Sequence, residues 1–242
     1  MTKEDALLQK RFEELYERAF SRDVPTTSDF LNLYEQDLFV RSGLEGELVG
    51  GYEAAERRIA VFGSADWFVP PLKWIKIEPL SQKFADKLTH RDFLGALMNL
   101  GIERKLLGDI IVKDNMAWLV CLENIAEYIC TEFTKCKHTS VKCSLSEEPP
   151  AHAGSAVPVQ EVVASLRLDG IISAAFKLSR SDGKKYVEQE KVFINGKLAS
   201  SAGLQLKEGE IVSVRGLGRF VYLGVERQTK KGSLRVNLGL YK

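Results

Sequence analysis

Residues 165–196 read SLRLDGIISAAFKLSRSDGKKYVEQEKVFING. Ser165 stands where an N-cap is wanted, ahead of Leu168, Ile171, Ile172 and Ala175 at i, i+3, i+4 and i+7. That spacing puts four apolar side chains on one helical face, which a core must bury. Lys177-Leu178 breaks the pattern, and Ser179 opens a second helix with Asp182 in its first turn, running to about Glu190. Arg180 and Lys184 lie one turn apart on that helix, with Lys185 beside them. Val192-Phe193-Ile194 reads as a strand, and Asn195-Gly196 signals a hairpin because a type I′ turn needs two residues at positive φ. Downstream, a turn at Glu208-Gly209-Glu210 leads into a strand over 211–214 and then a basic loop or bulge, Arg215-Gly216-Leu217-Gly218-Arg219.

Charge sets this segment apart. Residues 165–242 hold 15 Lys and Arg against 7 Asp and Glu, whereas residues 1–164 hold 19 against 26. The total of +1 conceals an acidic two-thirds joined to a basic end. A basic, folded terminal segment is the electrostatic footprint of a polyanion binder, most often of nucleic acid.

The rest of the 242 residues predicts more than one further element group. Residues 4–21 carry Leu7, Leu8, Phe12, Leu15, Tyr16 and Phe20 at helical spacing, and a second helix holding Phe30, Leu31, Leu33, Tyr34 and Leu38 ends at Gly43. Residues 48–62 fit either a turn into a helix or a strand pair. From residue 72 the order is strand (72–77), helix (84–100), two strands (109–112, 117–121), helix (125–133) and strand (139–145): β-α-β-β-α-β, the ferredoxin-like arrangement. RNA-recognition domains share it and stack bases on strand aromatics, but the paired-aromatic signature is absent here. Three prolines among small residues mark 147–160 as a linker. The expected class is α+β: an N-terminal helical or mixed domain (1–71), a ferredoxin-like domain (72–146) and a basic domain (161–242).

No apolar run approaches the roughly 20 residues of a membrane span, and the charged start reads as a cytoplasmic protein. Cys130, Cys136, His138 and Cys143 invite a zinc reading, but their spacing fits no common finger or ribbon, and reduced, partly buried thiols are the expectation.

The blocks Arg167-Leu168-Asp169, Leu178-Ser179-Arg180-Ser181, Lys191-Val192-Phe193-Ile194-Asn195-Gly196 and Gly209-Glu210-Ile211-Val212-Ser213-Val214-Arg215 stand in order at separations that resemble the RNA-binding domain named after small-subunit ribosomal protein S-four. With Val214-Arg215-Gly216-Leu217-Gly218-Arg219-Phe220 and two upstream blocks, the chain resembles the YlmH family of bacterial S-four-domain proteins. Those blocks are Gly50-Gly51-Tyr52-Glu53-Ala54-Ala55-Glu56-Arg57-Arg58, and His90-Arg91-Asp92-Phe93-Leu94-Gly95-Ala96-Leu97-Met98 with Gly108-Asp109-Ile110 after it. The resemblance implies an RNA-binding surface made by the two helices and the hairpin. It also implies ribosome association in quality control, on large subunits carrying an obstructed peptidyl-tRNA. Two departures stand out. The family usually has Gly after the second helix, where this chain has Glu190, and a non-Gly residue in that left-handed position costs roughly 1 kcal/mol. Gly183 sits inside the second helix, at roughly 0.5–1 kcal/mol against Ala.

The expected RNA contacts are Arg167, Lys177, Arg180, Ser181, Lys184 and Lys185 from the helices, continued by Asn195, Lys197, Arg215 and Arg219. Arg suits bidentate phosphate contacts and Lys a mobile charge; core packing is the expectation for Tyr186. Ribosomal RNA, transfer RNA and the large subunit are the expected partners, with no cofactor, metal, membrane or small-molecule substrate.

Enzyme readings find little footing. Arg167-Leu168-Asp169 shares three letters with the catalytic loop of pseudouridine synthases, but Gly170-Ile171-Ile172-Ser173 stands where that loop continues with Thr-Ser-Gly. His90-Arg91-Asp92 lacks the Asn spacing of a kinase loop, and Gly216-Leu217-Gly218 lacks a dinucleotide setting. The alternative is an RNA-modifying enzyme that uses the basic domain to deliver substrate. A third, weaker reading makes residues 1–75 a protein-docking module.

Overall fold

A computed structural model describes residues 2–63, 65, 67–147, 156–229 and 232–241. The chain forms two compact units, residues 1–153 and 154–242.

The first unit opens with α1 (Lys3–Arg22), started by a reciprocal Thr2–Asp5 capping box and burying Phe12, Leu15 and Ala19. After the short strand β1 (Thr26–Thr27) comes α2 (Leu33–Ser42), capped by Asn32 with Glu35 and ended at Gly43. Phe30 and Leu31, expected inside this helix, precede its cap. Their amides bond across the chain instead, Phe30 N to the Lys105 carbonyl and Leu31 N to that of Arg58, both at 2.8 Å. The undecided stretch 48–62 is a strand pair, β2 (Glu47–Val49) and β3 (Ile59–Phe62), with β3 between β1 and β2.

Next come β4 (Leu72–Pro79), α3 (His90–Asn99), β5 (Leu107–Lys113), β6 (Met116–Leu122), α4 (Glu123–Glu132), β7 (Lys135–Cys136) and β8 (Thr139–Ser146). The sheet order β5-β6-β4-β8, with β7 beyond β8 and every pair antiparallel, is the ferredoxin-like arrangement. The expected helix over 84–100 starts only at residue 90. Its first turn is set by Thr89 and Asp92, and the preceding loop is held by Asp86, whose carboxylate accepts from the His138 amide at 3.0 Å. Cys121 and Cys136 lie in the core, and the Cys143 thiol donates to the Phe133 carbonyl. Burial pushes the Cys121 and Cys143 thiols up to about 12 and that of Cys136 to about 11.

Strand alternation gives this sheet two apolar faces. Ile75, Ile77, Leu119 and Cys121 pack under α3 and α4, against Phe93, Leu97 and Ile129. On the other face Trp74 and Val120 join Phe30, Ile59 and Val61 in a second cluster. Gly108 permits that approach: a Cβ there would stand 2.2 Å from Val120 and 2.7 Å from the Phe30 ring. The expected domain boundary at residue 71 falls inside one compact unit: Phe12, Leu15, Phe39 and Phe62 form a core of their own before it, while Phe30, Ile59 and Val61 close one face of the sheet after it.

In the second unit, β9 (Ala156–Val163) is an edge strand of a six-stranded antiparallel sheet. It overlaps the expected linker, of which 148–155 lie outside the described residues; the edge position accommodates Pro158, which has no amide to donate. Beyond it stand α5 (Leu168–Ala175), α6 (Arg180–Glu188), β10 (Val192–Ile194), β11 (Lys197–Leu198), β12 (Ile211–Val214), β13 (Gly218–Gln228) and β14 (Leu234–Tyr241), in sheet order β11-β10-β12-β13-β14-β9. The α5 stripe is as expected, with Leu168, Ile171, Ile172 and Ala175 buried against Val192, Val212, Val214, Phe220, Val236 and Leu238. The N-cap of α5 is Arg167 rather than Ser165.

Candidate nucleic-acid interface

Two left-handed residues shape the helical side of the second unit. Lys177 (φ 56°) and Glu190 (φ 55°) each end a helix. After α6, Lys191 N donates to the Tyr186 carbonyl and Glu190 N to that of Val187, each at 3.0 Å, the paired bonds of a Schellman ending. The departure at Glu190 thus keeps the geometry that the family's glycine makes easy. Gly183 faces α5: a Cβ there would stand 2.2 Å from Ser173 Oγ and 2.5 Å from the Asp169 carbonyl oxygen. Ser173 Oγ donates to that carbonyl at 2.8 Å, so the glycine lets two helices meet over a buried hydroxyl.

The expected cations do not form one track. Arg180, Lys184 and Lys185 stand exposed on α6, whose buried residues are Gly183 and Val187. Lys184 pairs with Glu188 and Lys185 with Asp182, both at 3.2 Å and largely in solvent. Such pairs are weak and open easily for a phosphate. Arg180, at the rim of a shallow cleft between the end of β9 and the start of α6, has no ion-pair partner among the described residues. Ser181 Oγ lies 2.8 Å from Ser179 Oγ. Ser179 accepts from the Asp182 amide at 3.1 Å and donates to its carboxylate at 2.6 Å. The Ser179 bond and the Lys185 charge hold the Asp182 carboxyl below its ordinary value. The start of α6 is therefore already filled by Asp182, and the cations of this helix are what remains for phosphate.

Arg167 and Lys177 are committed elsewhere. Arg167 donates through Nε (3.2 Å) and Nη2 (2.9 Å) to Asp169, which is 3% exposed and also accepts from Gly170 N at 2.8 Å. Burial alone would raise the Asp169 carboxyl, but the Arg167 bonds and charge lower it. Asp169 thus anchors the start of α5. Lys177 is bonded to Glu161 of β9. Asn195 (φ 48°) and Gly196 (φ 80°) form the expected hairpin turn, and Asn195 Oδ1 accepts from Ile211 N at 3.0 Å, a clamp between strands. Lys197 comes next, on β11.

Arg215 and Arg219 lie on the other side. Core residues Val212, Val214, Phe220, Leu238 and Leu240 face the helices, so alternation turns Phe193, Ser213, Arg219 and Tyr241 outward. The Arg215 guanidinium lies 4.9 Å from the centre of the Phe193 ring and that of Arg219 4.2 Å from the Tyr241 ring. Tyr186 packs on the core, as expected, with Lys191 over its ring at 5.8 Å.

The central strands of the ferredoxin-like sheet carry one aromatic each, Trp74 on β4 and Trp118 on β6, in rows offset by one outward position, which is not the paired signature. Trp74 is covered by Tyr52 and the strand pair before it (ring centres 5.6 Å apart), so bases cannot stack there. Trp118 remains half-buried, 5.8 Å from Lys76 Nζ.

The upstream blocks meet at Asp109. Its carboxylate accepts from Tyr52 OH (2.8 Å), Glu56 N (2.6 Å) and Arg57 N (3.1 Å). Arg57 donates to the Leu107, Phe30 and Arg104 carbonyls and Arg104 to those of Leu107 and Gly108. Burial, then the neighbouring Arg57 charge, lowers the Arg104 guanidinium to about 10. These motifs tie the N-terminal region to the sheet. Asp92 of the kinase-like triplet caps α3 and pairs with Lys137 at 2.8 Å. Among the described residues, no group of three or more His, Cys, Asp and Glu is placed to hold a metal, and no helix is long and apolar enough to cross a membrane.

The chain is similar to known proteins in three respects. Residues 72–149 match the family described as "Putative RNA-binding domain in YlmH", and residues 166–212 match the S4 domain. Over 224 residues, 86% of this chain and 84% of the other, the chain is 28% identical to "Ribosome-associated protein quality control protein P2" of Bacillus subtilis. A solved structure, "Cell division protein ylmH from Streptococcus pneumoniae", is 26% identical with a TM-score of 0.48, covering 63% of this chain and 96% of that one.

Proposed function

Since the chain belongs to the YlmH family of RNA-binding proteins with a carboxy-terminal S4 domain, we propose that it is a non-catalytic factor that grips structured RNA on the ribosome. On this reading its place is the large subunit holding an obstructed peptidyl-tRNA, in ribosome-associated quality control, which puts it in the cytoplasm. The observation that carries the reading is the solvent side of α6, where Arg180, Lys184 and Lys185 stand exposed on a helix clamped to α5. A-form RNA hides its major groove, so a rigid helix presenting cations suits phosphates and 2′-hydroxyls better than base edges. The family resemblance of the Bacillus protein, whose name states ribosome-associated quality control, supports the choice of partner. Against catalysis, Asp169 and Asp92 are both engaged in capping and ion pairs.

Co-sedimentation tests this reading. Arg180→Ala with Lys184→Ala should strip the protein from ribosomal particles while leaving its thermal melt unchanged. Unchanged sedimentation of the double variant rejects the α6 face. Crosslinking in cells should recover large-subunit ribosomal RNA together with transfer RNA; recovery dominated by messenger RNA rejects the quality-control assignment.

A further inference from the structure

We propose that the outward face of the carboxy-terminal sheet, turned away from α5 and α6, is a second nucleic-acid surface that stacks the bases of an unpaired strand. It rests on the reading of this unit as RNA-binding but uses different residues and a different RNA form.

Strand register assembles the surface. Phe193 pairs with Ser213, Ser213 with Arg219 and Arg219 with Tyr241, so these four side chains form one row across β10, β12, β13 and β14. Three strand spacings make the row about 14 Å long, room for a few bases at roughly 3.4 Å each. Each of its two aromatic rings has a guanidinium over it: Arg215, from the turn after β12, lies over Phe193, and Arg219 over Tyr241. Both kinds of flat group stack on any base, without regard to sequence. Ser213 Oγ lies beneath them, shut from solvent, without a hydrogen-bond partner among the described residues.

Charge points the same way. A second outward pair, Arg227 with Arg235, stands further along β13 and β14. No acidic residue occupies any register-paired outward position of β9, β12, β13 or β14; Glu226 falls at the bulge in β13, and Glu161 faces the helical side, where Lys177 meets it. Asn237 and Gln160, paired across β14 and β9, add neutral donors and acceptors between the two arginine groups. A sheet face kept merely soluble would mix both signs; the charged groups at the paired outward positions of this one are all cations, set beside amides, rings and the apolar Val162, Val221 and Leu223. The face is made largely of β13, β14 and β9, which lie outside the matched S4 stretch of 166–212.

Fluorescence anisotropy with the full chain tests this, using a single-stranded oligouridine 12-mer and a fully paired RNA hairpin stem. Arg215→Ala with Arg219→Ala should bind oligouridine about tenfold or more weakly and the hairpin unchanged. Tyr241→Leu should lose affinity for oligouridine where Tyr241→Phe keeps it. Arg219→Lys, which keeps the charge and the fold but not the plane, should also weaken it. Arg180→Ala with Lys184→Ala should do the reverse, losing the hairpin and keeping oligouridine, so the two surfaces fail separately. Wild-type affinity for oligouridine in Arg219→Lys and Tyr241→Leu overturns the proposal. So does an abasic oligomer bound as tightly as oligouridine, since charge alone then suffices.

Discussion

At the scale of single residues, three positions decide local geometry, and each can be weighed. Asp109 receives three donors from the segment 52–57. Asp109→Ala removes the shared acceptor of all three, two of them backbone amides at the seam between the N-terminal region and the sheet. It should lower stability by about 2–3 kcal/mol, read as a lower denaturation midpoint at unchanged slope. An unchanged midpoint would mean that the seam holds without the clamp. Gly183→Ala brings helix propensity in its favour, but its methyl would press on Ser173 Oγ and the Asp169 backbone. The crowding should win, at a net loss of about 1–3 kcal/mol. Glu190→Gly should act oppositely. It relieves a left-handed non-glycine residue while leaving the Schellman bonds in place, for a gain of up to about 1 kcal/mol. Circular-dichroism melts of the two variants should move in opposite directions.

At the scale of elements, caps and edges mattered more than apolar spacing. The apolar pattern over 84–100 runs past the true start of α3, because Thr89 and Asp92 fix the first turn and the preceding loop is tied to the β7–β8 turn. The Lys137 bond first, then Thr89, lowers the Asp92 carboxyl to about 2 from 3.8. A carboxyl lowered on folding contributes stability that is complete above about 4 and is lost as pH falls through about 2. Asp92→Asn should flatten that part of the acid-unfolding curve and leave the region above pH 5 parallel to wild type; an identical curve would mean that the pair adds nothing to the folded state. The strand 234–241 illustrates a different gap. Its strict alternation, Leu-Arg-Val-Asn-Leu-Gly-Leu-Tyr, marks a half-buried strand with Arg235, Asn237, Gly239 and Tyr241 outward. That signal stood in the sequence, yet Arg227, Arg235 and Tyr241 belong to no short motif and so drew no expectation of a site.

At the scale of the whole molecule, the charge division between an acidic two-thirds and a basic end sets the binding thermodynamics. Each phosphate neutralised contributes roughly −0.7 to −0.9 to the slope of log K against log salt. Removing Arg180 and Lys184 should flatten that slope for structured RNA by about 1.4–1.8; a slope near zero in the wild type would rule out phosphate contacts altogether. By itself the sequence determined the element order of the ferredoxin-like segment, the two-helix and hairpin core of the basic unit, and which residues are cations. Those features rest on local physics: helical and strand periodicity, caps, and the Asn195-Gly196 turn. Tertiary structure alone decided where the cations point. Arg167 and Lys177 are drawn into ion pairs by partners packed beside them, and strand register sends Arg219 to the face opposite α6, where Arg215 lies over the Phe193 ring. It decided equally that residues 1–71 cover the Trp74 side of the middle sheet, since a face's occupant depends on contacts between residues far apart in the chain, which spacing along the sequence does not encode.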